Sequence, residues 1–291
     1  MSLLAKLDLP VRNKRSELTD EMFGRLRTFV YQKTGIYFQD NKRYLLESRI
    51  SRRLIALKLP GYPAYYDLLV RGGINNELKA LVNAITINET FFFRNQPKFD
   101  LLEKELIPDI VARRAREGRK SVRIWSAACS TGDEPYTIAL IAKERLQHKF
   151  PGMRFEIVGT DINTEVLDKA QAGIYGEYGV RNVPPVMMRK YFEEDGARFR
   201  LSPEICRMVK YHHVNLSDRA AMARMRGVDI VLCANVLIYF DTQAKQRVVA
   251  SIYNNLNAGG YLLVGFSETL YGVTQSFQPV RFDKIIAYKK G

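Results

Sequence analysis

Asp133 and Glu134 follow a run of small residues, SAACSTG, and open a helical pattern, DEPYTIAL, while a third acid, Asp161, closes the apolar run RFEIVGTD. The start of a helix presents unpaired amides and the positive end of a dipole, so it attracts anions, and phosphate-binding turns add glycines and usually a lysine there. Here carboxylates hold the place instead. The turn has neither GxGxxG nor GxxxxGK[ST], so the dinucleotide and triphosphate motifs are missing. A carboxylate at the end of a second strand suits both ribose hydroxyls of a nucleoside, although Asp161 lies farther from Gly132 than the roughly 20 residues of the dinucleotide pattern. Together the acids point to a nucleoside without phosphates that preferably carries positive charge. S-adenosylmethionine, with an adenosine, an amino group and a sulfonium, answers that description. Each acid alone keeps a second reading: Asp and Glu in a first turn complement the helix dipole, and Asp161 suits the cap of the helix that follows.

Such acids need a sheet to carry them. SVRIWSA, RFEIVGTD, VDIVLCAN and GYLLVGF read as short apolar strands, with FDKIIAYK as the last. Helical patterns at residues 133–147 and 164–170 and in TQAKQRVVASIYNNL alternate with them. That alternation predicts an α/β fold with a mostly parallel, doubly wound sheet and a ligand at the carboxyl ends of its strands. Residues from about 176 to 214 break the cycle. PPVMMRKYF reads as a short helix, and ARFRL and ICRMVKYHHV as strands joined through SPE, so an inserted small sheet is predicted. His212 and His213 are adjacent and would point to opposite faces of a strand, so no metal site is expected.

The first part of the chain is helical. Thr19 suits the cap of TDEMFGRLRTFVYQKTG and Asp40 the cap of DNKRYLLESRISRRLIALKL, which should stop before Pro60 and Gly61. PAYYDLLVR, closed by Gly72 and Gly73, and NNELKALVNAI follow, giving a small helical domain over residues 1–85. In the second helix Leu46, Ile50, Leu54 and Leu57 share a face beside Lys42, Arg49 and Arg53, flanked by Arg52. Six positive residues between 42 and 58 meet only Glu47, so this helix reads either as a solvated surface or as a docking face for an acidic partner. The linker NETFFFRNQP, within residues 86–97, leads to a helical stretch interrupted at Pro108. Its three phenylalanines suit a wedge between domains, and Arg94 beside them would want a carboxylate partner.

With 291 residues, 46% of them hydrophobic, the chain is long enough for a large core or two modest ones. Cys129, Cys206 and Cys233 are an odd and widely spaced set, which suggests neither a disulfide framework nor a zinc site and fits a reducing cytosol. MSLLAKLDLPVRNKR lacks the apolar stretch of a signal peptide, and no run approaches the roughly 20 apolar residues of a membrane span. A net charge of +14 draws an acidic partner, whether nucleic acid, anionic membrane or carboxylate-rich protein.

NETFFFR, SAACSTGDEPYTIAL, GTDINTEVLDKAQAGIY, VNLSD, NVLIYFD and GFSE occur in that order. On these stretches the chain resembles the chemotaxis receptor methyltransferases of the CheR family, over almost its whole length. The resemblance implies an all-helical N-terminal domain and a class I, Rossmann-like methyltransferase domain over residues 98–291 with an inserted antiparallel β-subdomain. It also implies methyl transfer from S-adenosylmethionine to receptor glutamates, with S-adenosylhomocysteine as product.

Carried over by position, Asn88, Thr90 and Arg94 would reach the cofactor, Glu134 its amino acid or sulfonium end, and Asp161 the ribose. Asn215 with Leu216 would border the adenine, and Asn235 with Val236 would continue that wall. Arg94 and Tyr239 would lie nearest the reacting centre. The implied partner is the acidic cytoplasmic helical bundle of a chemoreceptor, in the cytoplasm and without membrane insertion; charge and periodicity, not the resemblance, suggest Arg49, Arg52 and Arg53 as the face that meets it. Two departures stand out. Ala234 takes a position usually held by arginine, and the link EEDGARFRL lacks the glycine-rich loop of members that grip a receptor's C-terminal pentapeptide, which argues against such a tether. An RNA methyltransferase is the alternative that the charge allows, although no RNA-reading module is visible and no nucleic-acid partner is expected.

Overall fold

The computed structural model describes residues 17–72, 76–283 and 285–291, and the elements below are those of the described residues. The readings of MSLLAKLDLPVRNKR, Gly73, Asn75 and Lys284 lie outside them. By packing, residues 17–29 group with Phe38–Ile85, and Val30–Tyr37 group with Thr86–Gly291.

The first unit is helical. Helix α1 (Asp20–Thr34) begins after Thr19, whose Oγ1 accepts the Met22 N–H at 3.2 Å and satisfies one of the amides a helix start leaves open. Asp40 does not cap the next helix. Its carboxylate pairs with Arg27 at 2.5 Å, and residues Asp40–Lys42 form a 3₁₀ turn before α2 (Arg43–Leu57). Leu46, Ile50 and Leu54, spaced four apart, are buried as the apolar period requires. The helix ends at Lys58 in a left-handed conformation, and α3 (Tyr62–Arg71) and α4 (Glu77–Ile85) follow.

Two of the basic residues of α2 are committed within this unit. Arg53 makes a two-pronged pair with the buried Glu77, Nε to Oε1 at 2.9 Å and Nη2 to Oε2 at 2.7 Å, and the Tyr65 hydroxyl donates to the same carboxylate. Arg43 pairs with Asp20. The expectation that these cations lack local partners is therefore corrected, and Arg53 is removed from the docking face because its guanidinium neutralises a buried acid.

The second unit is built on a seven-stranded sheet. Helices α5 (Gln96–Leu101) and α6 (Ile107–Arg116) lead to β1 (Ser121–Ala127), and α7 (Asp133–Ile141) with α8 (Gln147–Lys149) leads to β2 (Arg154–Asp161). Pro108 does not break the helix. A wide turn, Leu102–Leu106, precedes it, in which the Ile107 N–H bonds to the Leu102 carbonyl five residues back, absorbing a residue that cannot donate. After α9 (Thr164–Ala172) come β3 (Ile174–Gly176), α10 (Glu177–Val180), α11 (Pro185–Tyr191), β4 (Phe192–Asp195), β5 (Arg198–Leu201), α12 (Pro203–Cys206) and β6 (Val209–His213). The chain closes with α13 (Arg219–Met222), β7 (Val228–Cys233), α14 (Thr242–Asn255), β8 (Leu256–Val264), β9 (Phe277–Phe282) and β10 (Ile285–Lys290).

The strand order is β6-β2-β1-β7-β8-β10-β9, with the first five parallel and β10 antiparallel to both neighbours. From β1 the chain first builds outward through β2 and β6 and then returns to β7, so the crevice at a change of direction opens beside the carboxyl end of β1. The small antiparallel sheet is present with order β3-β5-β4. Its extent differs from the expectation: Val209–His213 leaves it and pairs in parallel with β2, Asp161 opposite His213. Sequence alternation identifies a strand but does not name its partner. Nor did it announce β9, so FDKIIAYK divides at Asp283 between two hairpin strands.

Candidate functional site

Three residues with left-handed backbone, Ala128 (φ 58°), Ser130 (φ 51°) and Gly132 (φ 85°), coil the chain between β1 and α7. Gly132 is also needed for space, because a Cβ there would stand 2.4 Å from the Tyr211 hydroxyl and 2.8 Å from the Ala170 Cβ. Asp161 fastens this turn. Its Oδ2 accepts the Ser130 N–H and its Oδ1 the Asn163 N–H, both at 2.8 Å, while the Cys129 N–H reaches the Thr160 carbonyl at 2.8 Å. Burial pushes the Asp161 carboxyl up from its ordinary range, and the amides of Asn163, Ser130 and Ile162 oppose that rise. Each oxygen retains lone-pair capacity beyond its amide.

The two acids at the start of α7 go separate ways. Glu134 Oε1 accepts from the Ser126 hydroxyl of β1 at 2.8 Å, and Oε2 pairs with Lys98 of α5. Asp133 is 1% exposed and accepts from Thr131 Oγ1 at 2.6 Å; burial raises its carboxyl to about 6, with that hydrogen bond and the Arg181 charge acting against the rise. The charges nevertheless share one neighbourhood. Burial, then Asp161, Glu134 and Asp133, all push the Cys129 thiol upward, and Glu268 and Glu134 do the same to Cys233.

The linker is tied to the turn. Ser130 Oγ donates to the Asn88 carbonyl at 2.9 Å, and Asn163 Nδ2 and Asn88 Nδ2 both donate to Thr86 Oγ1, at 2.7 and 3.3 Å. Thr90 is half-buried in the same segment. Phe92 and Phe93 are buried in the core of the second unit. Phe92 donates its N–H to the Gly179 carbonyl and packs edge-on against Tyr175 and Phe192, while Phe93, in a left-handed conformation, donates to Thr137 Oγ1 at 3.0 Å. Phe91 stacks beneath the Arg181 guanidinium at 3.5 Å.

Among the described residues Arg94 has no carboxylate partner of the kind expected. Its Nη1 donates to the Glu89 carbonyl at 2.6 Å, and its charge lowers the Tyr239 hydroxyl pKa against the larger effect of burial. Glu268 and Glu89 also act on that hydroxyl. Tyr239 ends a 3₁₀ turn, Leu237–Tyr239, and its carbonyl accepts the Tyr37 N–H at 2.9 Å. Asn215 donates through Nδ2 to the Lys33 carbonyl at 2.8 Å and accepts the Ser217 N–H, and Leu216 beside it is buried. Asn235, with φ 60°, and half-buried Val236 begin the loop after β7.

Sequence reasoning missed three contributors. Glu268 of GFSE accepts the N–H groups of Asn235 and Gly265 at 2.7 Å and of Ile238 at 3.2 Å, and so holds the loop that carries Tyr239. A Cβ on Gly265 would stand 2.9 Å from the Asn235 nitrogen, so only glycine fits that approach. Lys98 is buried against Glu134, and residues 33–37 line Asn215 and Tyr239. The clue to Glu268 was its place at the end of a strand; the other two had none. Among the described residues no group of three or more His, Cys, Asp or Glu is arranged to hold a metal ion, and no helix is long and apolar enough to cross a membrane.

Two family profiles match the chain: "CheR methyltransferase, all-alpha domain" over residues 21–86 and "CheR methyltransferase, SAM binding domain" over residues 88–286. Chemotaxis protein methyltransferase 2 of Vibrio cholerae is 37% identical over 275 residues, covering 94% of each chain. The chemotaxis protein methyltransferase of Borreliella burgdorferi is 33% identical over 261 residues, covering 89% of this chain and 92% of its own. That of Salmonella typhimurium is 33% identical over 269 residues, with 91% and 89% covered.

Proposed function

The chain belongs to the CheR methyltransferase family, and from that premise we propose that it transfers the methyl group of S-adenosylmethionine to glutamate side chains of chemotaxis receptors, giving methyl esters. It is an S-adenosylmethionine-dependent methyltransferase of chemotaxis, and the RNA alternative is not favoured. The observation that carries the finer reading is the placement of Glu134, in the first turn of α7 and bonded to Ser126 of β1, and of Asp161, at the end of the adjoining parallel β2, on either side of a turn to which Asn88 of the linker is bonded. A carboxylate-lined site whose nearby buried lysine, Lys98, is paired with Glu134 suits a cationic nucleoside better than a polyphosphate.

Asp161 would hold the ribose, Glu134 the ammonium end, and Asn88, Thr90 and Arg94 the linker side. Asn215, Leu216, Asn235 and Val236 would border the adenine. The bound cofactor supplies an electrophilic methyl on a sulfonium. A substrate glutamate, with an ordinary pKa of about 4.3, is already ionised at neutral pH, so the protein needs no general base. What it contributes is alignment, worth roughly 7 to 11 kcal/mol in well-oriented systems. Arg94 and the Tyr239 hydroxyl are suited to hold the carboxylate oxygens, since both donate hydrogen bonds. Too firm a hold would favour the ground state.

The partner we propose is the acidic helical bundle in the cytoplasmic part of a receptor, reached through exposed Arg52 and half-buried Arg49 of α2, with the protein acting in the cytoplasm. Two residues, 196 and 197, join β4 to β5, which supports direct capture over a pentapeptide tether. Incubation with methyl-labelled cofactor and receptor-containing membranes tests the reaction: the label should enter the receptor and be released by mild alkali, as an ester is. Label that survives alkali, or still enters receptors carrying glutamine in place of the methylated glutamates, would refute it.

A further inference from the structure

The Lys98 side chain is 5% exposed and pairs with Glu134, itself 17% exposed. A buried ammonium loses its hydration, and a neighbouring carboxylate recovers part of that loss only when its remaining lone pairs are also engaged. Here they are: Lys98 Nζ takes Oε2 and the Ser126 hydroxyl takes Oε1, while the lysine nitrogen lies 5.2 Å from the Phe99 ring. The pair is not remote from the chemistry, because α5 begins directly after the linker and Glu134 opens α7. Without Lys98, Glu134 would share the surroundings of Cys129 with Asp161 and Asp133, and those of Cys233 with Glu268, all anionic or neutral groups. Its charged form would then be opposed both by burial and by like charge.

We propose that Lys98 is a positioning residue of the cofactor site: by placing its charge against Glu134 it holds that carboxylate in one orientation as the acceptor for the ammonium end of the cofactor. This rests on the reading that Glu134 faces the cofactor. Lys98 need not touch the ligand itself. A purely structural ion pair would change folding stability when broken and leave the pH profile of ligand binding alone, whereas the assigned role ties that profile to the lysine charge.

Titration calorimetry with S-adenosylhomocysteine on the full chain, between pH 5.5 and 8.5, separates the two. The wild type should bind with nearly constant affinity. Lys98→Met should lose affinity as pH falls, approaching roughly tenfold per pH unit once Glu134 takes up a proton, and Lys98→Arg should restore the flat profile. Lys98→Gln, which keeps a donor toward Glu134 but no charge, is the second neutral variant should Lys98→Met not fold. Glu134→Gln should weaken binding at every pH, and adding Lys98→Met to it should bring no new pH dependence. A flat profile in the neutral variants would overturn the role of Lys98. Wild-type affinity in Glu134→Gln would instead overturn the placement of Glu134 at the cofactor, a result distinguishable from the first.

Discussion

Arg94 and Tyr239 are the side chains closest to carrying out the reaction in this account, yet neither is a strong acid or base at neutral pH. Their contribution is to hold an anion in line, so Arg94→Ala and Tyr239→Phe should each lower methyl transfer by roughly 10- to 100-fold, as loss of a donor at a reacting anion does. Affinity for S-adenosylhomocysteine should change less than the rate in both. Parallel calorimetry and labelled-methyl assays check this, and equal losses in the two measurements would remove the assignment. Asp133 makes a different prediction. Its folded pKa of about 6 exceeds the ordinary 3.8, so the folded protein holds the proton more tightly and stability is full below pH 4. It is lost as pH rises through about 6, by up to about 3 kcal/mol. Asp133→Asn, whose amide oxygen still accepts from Thr131, should therefore be more stable than the wild type at pH 8 and similar to it at pH 4. Urea unfolding at the two pH values reads the difference.

At the scale of elements, the parallel strands β1, β2, β7 and β8 and the helices α1 and α2 were legible because hydrophobic period, and for α1 the Thr19 cap, are local properties. Asp161 at the end of β2 and the acids that open α7 were legible for the same reason. What the sequence did not disclose depends on distant partners. β6 reads as another strand of the small sheet until its pairing with β2 is known, and the lysine that neutralises Glu134 comes from a helix 36 residues earlier. Three phenylalanines in a row demand more than one environment, and the left-handed turns at Phe93 and Asn95 accompany the burial of Phe92 and Phe93 in one core. The loop after β7 is likewise organised from afar. Glu268→Ala would strand three amides, each worth about 1–3 kcal/mol if left without a partner, less where water can enter. Amide exchange at Asn235, Ile238 and Gly265 should accelerate in this variant, and methyl transfer should fall because Tyr239 sits at the end of the same loop. Unchanged exchange would show that Glu268 does not hold the loop.

Taken whole, the molecule carries a charge of +14, but its cations are not equivalent. Arg52 is exposed and Arg49 half-buried, whereas Arg53 neutralises Glu77 inside the helical unit. Removing Arg49 and Arg52 together should lower kcat/KM for receptor membranes and flatten its salt dependence while leaving the unfolding midpoint near wild type. Arg53→Ala should instead destabilise the protein, by about 3 kcal/mol, because it leaves a buried carboxylate without its partner. Thermal unfolding and salt-series kinetics distinguish the two effects.

All of this depends on Glu134 at the start of α7 and Asp161 at the end of β2 forming the seat of the adenosyl cofactor. Binding of S-adenosylhomocysteine to Asp161→Ala, measured by titration calorimetry alongside a check that the variant remains folded, tests it most directly. The expected result is a loss of affinity of at least tenfold in a folded protein, larger than the loss in Tyr239→Phe. Affinity equal to that of the wild type would contradict the account.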